Sequence, residues 1–280
     1  MKIEDLLVFG KQHIHSDHAK ILLAELINKN PLELLNYLEE PVPQEIVDKY
    51  KKEVLAMESG TPLQYAIGSV NFYGQKFYVD ERVLIPRYET EELVENVLYL
   101  YDKYFSGKKV DVCDIGTGSG AIAITLALEE ANMRVMASDI SFDALEVANK
   151  NNSKHGAGVT FLQGDMVKPL YGNKFDIIVS NPPYIPDSEI VDSLVKDNEP
   201  NIALFGGNDG LKFYRIIVED LSKIAKDKFI LAFEHGYNKN DEIEALIKTY
   251  YPNALVIHKK DLQGKNRMTF AIEGDFDEVK

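Results

Sequence analysis

From residue 110 onward the chain alternates short, apolar, β-branched runs with helical patterns, and no other feature so narrows what it can fold into. Strands are read at 110–115, 134–138, 159–162, 175–180, 229–233, 255–258 and 268–272, and helices at 121–128, 142–151, 211–224 and 241–250. Such alternation builds an α/β domain: a mostly parallel, Rossmann-like sheet covered on both faces, with ligands received at the carboxyl ends of its strands. The last two strands have no helix between them, so the final one is expected to run antiparallel at or near an edge, completing a seven-stranded sheet.

Upstream the texture differs. Leu22, Leu23, Leu26 and Ile27, then Ile46, Val47, Tyr50, Val54 and Leu55, recur at helical spacing between Pro31, Pro41 and Pro43, so residues 1–62 read as a small helical domain. Residues 63–82 carry Tyr65, Val70, Phe72, Tyr73, Phe77, Tyr78 and Val79 around Gly68 and Gly74, the pattern of a connecting β-hairpin. The remainder, 83–280, forms the α/β domain, and Thr90 is placed to cap a helix carrying Leu93, Val94, Val97, Leu98 and Leu100.

The chain of 280 residues holds 31 Lys plus Arg against 45 Asp plus Glu, and a net charge of -14 repels a phosphate backbone unless the basic residues gather on one face. Nucleic acid is disfavoured as a partner. No stretch approaches the roughly 18 to 20 apolar residues of a membrane-spanning helix, and Met1-Lys2-Ile3-Glu4-Asp5 lacks a signal peptide's order, so a cytoplasmic location without membrane attachment is expected. The single cysteine, Cys113, lies in an apolar strand and reads as core filler. His13, His15, Asp17 and His18 match no familiar ligand spacing, and no metal is expected.

Gly116-Thr117-Gly118-Ser119-Gly120 follows a strand and opens a helix, where absent side chains let a ligand approach backbone amides. With Asp139 ending the next strand, the spacing fits a nicotinamide dinucleotide as well as S-adenosylmethionine, and the loop alone does not separate them. Asp114, just before the loop, would repel a pyrophosphate and suit a cation. Asp139 can accept two ribose hydroxyls, Asp165 an adenine amino group, and Met166 can lie against the ring. Together these acidic strand ends favour a cationic donor.

Asn181-Pro182-Pro183-Tyr184 follows the fourth strand and so shares the carboxyl edge with the glycine loop. Two prolines fix the backbone, Asn181 brings an acceptor and a donor, and Tyr184 an aromatic face, which describes a clamp for a planar amino-bearing group. Here the sequence resembles the HemK-type protein glutamine methyltransferases that modify peptide chain release factors. The likeness runs through Thr61-Pro62-Leu63-Gln64-Tyr65, Ile85-Pro86-Arg87-Tyr88-Glu89-Thr90, the glycine loop, Asn181 to Tyr184, Glu199-Pro200, Glu234-His235-Gly236 and Asp261 to Arg267; Tyr88 stands where the family usually has proline.

The resemblance implies methyl transfer from S-adenosylmethionine to the amide nitrogen of the glutamine in a release factor's Gly-Gly-Gln loop. Gly116 to Gly120, Asp139, Asp165, Met166 and Asn181 would line the donor site, Asn181 to Tyr184 would hold the glutamine, and the helical part would dock a second region of the substrate. Asn181, Pro182 and Tyr184 carry the expected catalysis: the Asn181 side-chain oxygen and the Pro182 carbonyl accept the amide protons while Tyr184 stacks on the amide plane. Arg87 and Glu89 are read as a pair ordering the adjacent loop, and Glu234, His235 and Arg267 as supports of the sheet edge. The competing readings are an amino-group methyltransferase on adenine or guanine of DNA or RNA, a nicotinamide-dependent oxidoreductase, and a non-enzymatic binding module of the same fold.

Overall fold

Apolar stripes on the first helices decide the amino-terminal architecture. In the computed structural model, which describes residues 1–190 and 196–276, α1 (Ile3–His13), α2 (Ser16–Leu26) and α3 (Gln44–Glu58) turn Ile3, Leu6, Leu7, Leu22, Leu23, Val47, Tyr50 and Val54 into one buried cluster. α4 (Leu63–Ile67) follows Pro62, held extended at ψ 145, and stops at Gly68 in the left-handed region at φ +80. Hairpin character is expected over residues 63–82, but strand pairing is confined to β1 (Ser69–Phe72) and β2 (Gln75–Tyr78), because the Pro62 start and Gly68 stop outweigh the β propensity of Tyr65. Tyr73 and Gly74, at φ +48 and +74, make the hairpin turn. The chain divides into a helical unit, Met1–Ser69 with Val79–Glu81 and, among the described residues, 196–198, and a larger unit that holds the rest.

The larger unit is built on a sheet of β3 (Val110–Ile115), β4 (Met133–Asp139), β5 (Thr160–Gln163), β6 (Phe175–Ser180), β7 (Ala225–Glu234), β8 (Leu255–Lys260) and β9 (Asn266–Glu273), in the order β5-β4-β3-β6-β7-β9-β8. β3 to β7 are parallel, and β9 runs antiparallel between β7 and the edge strand β8. Leu93, Val94 and Val97 of α5 (Tyr88–Tyr104) and Ile122, Ile124 and Leu126 of α6 (Ala121–Glu129) pack on one face with Val112, Val135 and Ile177. α8 (Lys212–Ile224) and α9 (Asn240–Tyr250) cover the other face, placing Tyr214, Ile217, Leu221, Ile243 and Ile247 against Cys113, Ile178 and Leu231. Period-two alternation along each strand sends successive residues to opposite cores, which is why these strands are apolar throughout.

α7 (Phe142–His155) runs four residues beyond its expected end at 151, through Lys154 and His155, to Gly156 at φ +65. β7 begins at Ala225, ahead of the expected 229, because polar Lys226 to Lys228 still extend the strand. The remaining α/β boundaries fall within two residues of the expected ones. From β3 the chain moves outward to β4 and β5, then returns to β6 and continues to β7 on the other side. The switch point therefore lies between the carboxyl ends of β3 and β6, where crossovers diverge and leave a crevice.

Candidate active site

Ser180 Oγ donates to the Ile115 carbonyl at 2.6 Å, tying the ends of β6 and β3 where the crevice opens. The turn after β3 is held by Gly116 and Thr117 amides donating to the Ser138 carbonyl at 2.8 and 3.0 Å. Gly116 and Gly118 adopt φ +76 and +55, and a Cβ on either would project into open space. Gly120 is different, since a Cβ there would stand 2.9 Å from Ile124 Cδ1 and 3.3 Å from Ala148 Cβ, so it serves helix packing.

Asp139, at the end of β4, accepts Gly118 N–H at 2.8 Å on one carboxylate oxygen and Ser141 N–H at 2.9 Å on the other. Burial raises its pKa while those amides oppose the shift. Each oxygen retains a lone pair for a further donor. Asp114 lies beneath the loop with no exposure; Oδ2 accepts from Thr117 Oγ1 at 2.6 Å and Oδ1 has no partner. Burial pushes its carboxyl up to about 7, with the Asp139 charge adding to the rise and Thr117 opposing it.

A pocket partly open to solvent lies over these groups. Gly116, Gly118, Asp139, Met166 and Asn181 line it together with Pro183. Met166 sits at φ +48, an uncommon conformation for its type, and its carbonyl is pinned by Ser138 Oγ at 2.9 Å. Thr117 and Ser119 are buried and do not line the pocket, and the Ser119 carbonyl is held instead by Asn151 Nδ2 of α7 at 2.9 Å. Asp165 also lies off the lining, its carboxylate paired with Lys168 Nζ at 2.6 Å and half exposed.

Sequence reasoning missed much of the rest of the lining: Leu84, Ile140, Ser141, Pro200 and Ile202. Arg87 does not pair with Glu89. Its guanidinium reaches buried Glu199 Oε1 at 2.5 Å, and the second Glu199 oxygen accepts Ile85 N–H at 3.2 Å, so a buried carboxylate ties residues 85–87 to the segment before Pro200. The Ile85-Pro86-Arg87 and Glu199-Pro200 segments carried that signal, although nothing local linked them.

The clamp segment is held equally firmly. Ile185 N–H donates to the Leu204 carbonyl at 3.0 Å and Gly206 N–H to the Ile185 carbonyl at 2.8 Å. A Cβ on Gly206 would stand 2.9 Å from Tyr184 Cα, so only glycine admits this approach. Burial pushes the Tyr184 hydroxyl up to about 12, which keeps it neutral. Asn181 Nδ2 donates to Thr90 Oγ1 at 3.2 Å, and Thr90 Oγ1 donates to Glu234 Oε2 at 2.7 Å. Thr90 therefore does not cap α5, which begins at Tyr88 after Arg87; its hydroxyl faces inward. His235 is buried with ring nitrogens against Gly236 O and Thr269 Oγ1, both at 2.8 Å, consistent with a structural role.

The family model for the Methyltransferase small domain matches residues 95–201, and that for the PrmC N-terminal domain matches 12–68. A methyltransferase structure from Pyrococcus furiosus aligns with TM-score 0.53 at 16% identity, covering 80% of this chain and 98% of that one. The T. thermophilus 16S rRNA N2 G1207 methyltransferase aligns with TM-score 0.52 at 15% identity over 74% of this chain and 50% of its own, and both likenesses speak for the fold alone. The fold and the matched family models together define a Rossmann-like methyltransferase. The release factor glutamine methyltransferases of Bacillus anthracis and Bacillus subtilis (strain 168) are 43% and 44% identical over 257 and 259 residues, covering 90% and 91% of this chain and 91% and 90% of theirs. This chain belongs to the release factor glutamine methyltransferase family.

Proposed function

We propose that the chain methylates the side-chain amide nitrogen of the glutamine in the Gly-Gly-Gln motif of peptide chain release factors, with S-adenosylmethionine as donor. The observation that carries this reading is Asn181, which lines the same pocket as Gly116, Gly118 and Asp139 while its amide nitrogen is engaged behind it by Thr90. Support for the donor comes from a glycine cradle whose missing Cβ atoms leave open space and from an Asp139 carboxylate with spare lone pairs. When bound, S-adenosylmethionine supplies a methyl carbon activated by sulfonium.

Gly116, Gly118, Asp139 and Met166 hold the donor in this reading, while the more distant Thr117, Ser119, Gly120 and Asp165 shape or flank the loop. An amide nitrogen is a weak nucleophile because its lone pair is delocalised into the carbonyl. Asn181 Oδ1 and the Pro182 carbonyl accept hydrogen bonds from its two N–H groups, fix the amide plane and stabilise positive charge as it develops on nitrogen, which is acidic once alkylated and releases one proton to water. Pro183 keeps the turn rigid and Tyr184 lies against the plane. The N-terminal helical domain, 1–62, supplies a second docking contact for the release factor.

The reading is tested by mass spectrometry of release factor after incubation with enzyme and donor, with ribosomal RNA and DNA as parallel acceptors. A gain of one methyl on the glutamine is expected, and methylation of either nucleic acid instead would replace the assignment. In single turnover, Asn181→Ala is expected to lose on the order of 100-fold or more in rate with donor binding retained. A near-normal rate would remove the clamp.

A further inference from the structure

Behind Asn181 a line of polar side chains runs into the core: Asn181 Nδ2 to Thr90 Oγ1 at 3.2 Å, and Thr90 Oγ1 to Glu234 Oε2 at 2.7 Å. Thr90 and Glu234 are 4% and 2% exposed, so water does not compete for these positions. A hydroxyl carries one proton. When Glu234 is ionised it only accepts, so the Thr90 proton points to it, and Thr90 can offer Asn181 nothing but a lone pair. Asn181 must then turn its NH2 toward Thr90 and its oxygen away. That orientation presents an acceptor to the substrate's amino group. When Glu234 is protonated, its own O–H can donate to Thr90, whose proton swings to Asn181 and calls for the Asn181 oxygen; the clamp would then face the substrate with a donor.

We propose that Glu234, acting through Thr90, is a positioning residue that sets the polarity of the Asn181 side-chain amide, and that protonating Glu234 reverses the chain and disables the clamp. The proposal rests on the reading of the site as an amide methyltransferase. Glu234 is faced by Thr90 and Glu89 of α5, by Arg267 of β9, and by Asn181 and Tyr184 after β6; Tyr214 of α8 donates to its backbone carbonyl at 2.7 Å. Its neighbour His235 has its ring engaged elsewhere, and burial lowers that imidazole's pKa. Burial raises the Glu234 carboxyl to about 7, opposed by the Thr90 hydrogen bond, the Arg267 charge and the nearby Asn181 amide, with Glu89 pushing the other way. The switch thus falls within the range of an ordinary assay.

The experiment is single-turnover methylation of release factor at saturating donor between about pH 5.5 and 8.5, for the natural protein, Glu234→Gln, Thr90→Val and Thr90→Ser. The natural protein is expected to slow roughly tenfold at the acid end, with a midpoint near that of Glu234. Glu234→Gln and Thr90→Val should be slower at the alkaline end and flat with pH, with donor and release factor affinities within about threefold of normal. Thr90→Ser should restore both rate and pH dependence. A natural pH profile in Glu234→Gln or Thr90→Val, or a loss confined to affinity, would overturn the proposal. Should the natural protein leave release factor unmodified, the functional reading fails by itself. The relay is still judged from the Asn181 side-chain amide resonances, assigned by their loss in Asn181→Ala, which must titrate in the natural protein and stay still in Glu234→Gln.

Discussion

Asp139 shows how one side chain can shape a loop and still face a pocket. Its two oxygens each accept a backbone amide, Gly118 on one side and Ser141 on the other, so the carboxylate shapes the glycine turn while keeping lone pairs toward the pocket. Asp139→Ala is expected to weaken S-adenosylmethionine binding by roughly 10- to 100-fold, the loss of charge-assisted hydrogen bonds, with the fold retained. Unchanged affinity by calorimetry would take Asp139 out of the donor site. Asp139 was legible because its position after a strand and a glycine loop is local information. The Glu234 partnership with Thr90 was not, since the two residues are 144 apart in sequence and each taken alone reads as an edge support or a helix cap. Glu199 escaped for the same reason: Arg87 lies 112 residues away and Glu89 offered a nearer partner.

Among elements, the turn into α6 separates two uses of glycine that look identical in the sequence. Gly118 and Gly120 both hold positive φ, but a Cβ at Gly118 meets nothing within 4 Å whereas at Gly120 it would press on Ile124, Ala148 and Phe161. Gly118→Ala should therefore cost about 1 kcal/mol of backbone strain and chiefly obstruct the donor. Gly120→Ala adds overpacking to that strain and should cost on the order of 2 to 4 kcal/mol. Urea unfolding of both variants checks this, and equal destabilisation would mean that the two positions are not distinct. Strands and helices themselves were readable because periods of 2 and 3.6 survive in the sequence, down to an antiparallel last strand inferred from a missing helix. Helix α4 was not readable. Five residues are too few for a period, and only Pro62 and Gly68 mark its ends.

For the whole molecule, stability should fall as pH rises from mildly acidic toward about 7, the reverse of the usual acid-labile behaviour. Asp114 and Glu234 are both buried, with carboxyls raised from 3.8 and 4.5 to about 7. The folded protein therefore holds protons that the unfolded chain has released by pH 5 to 6, and ionising these groups inside the core opposes folding. Their contribution is fully present below the unfolded values and is lost as pH climbs toward 7, on the order of 3 kcal/mol per site before relaxation. Asp111, Asp209, Asp220 and Asp261 are shifted the other way and lose their stabilising ionisation only at lower pH, so the two sets bracket an optimum in mildly acidic solution. A net charge of -14 adds self-repulsion at high pH, so the natural protein alone does not isolate the cause. The double variant Asp114→Asn/Glu234→Gln does, because it changes the net charge by little and removes both buried ionisations. Urea midpoints at about pH 5.5 and 8 should drop sharply in the natural protein and only weakly in the variant, leaving the variant the more stable at pH 8. Parallel declines in the two proteins would place the pH dependence at the surface and show that these carboxyls ionise inside the fold at no cost.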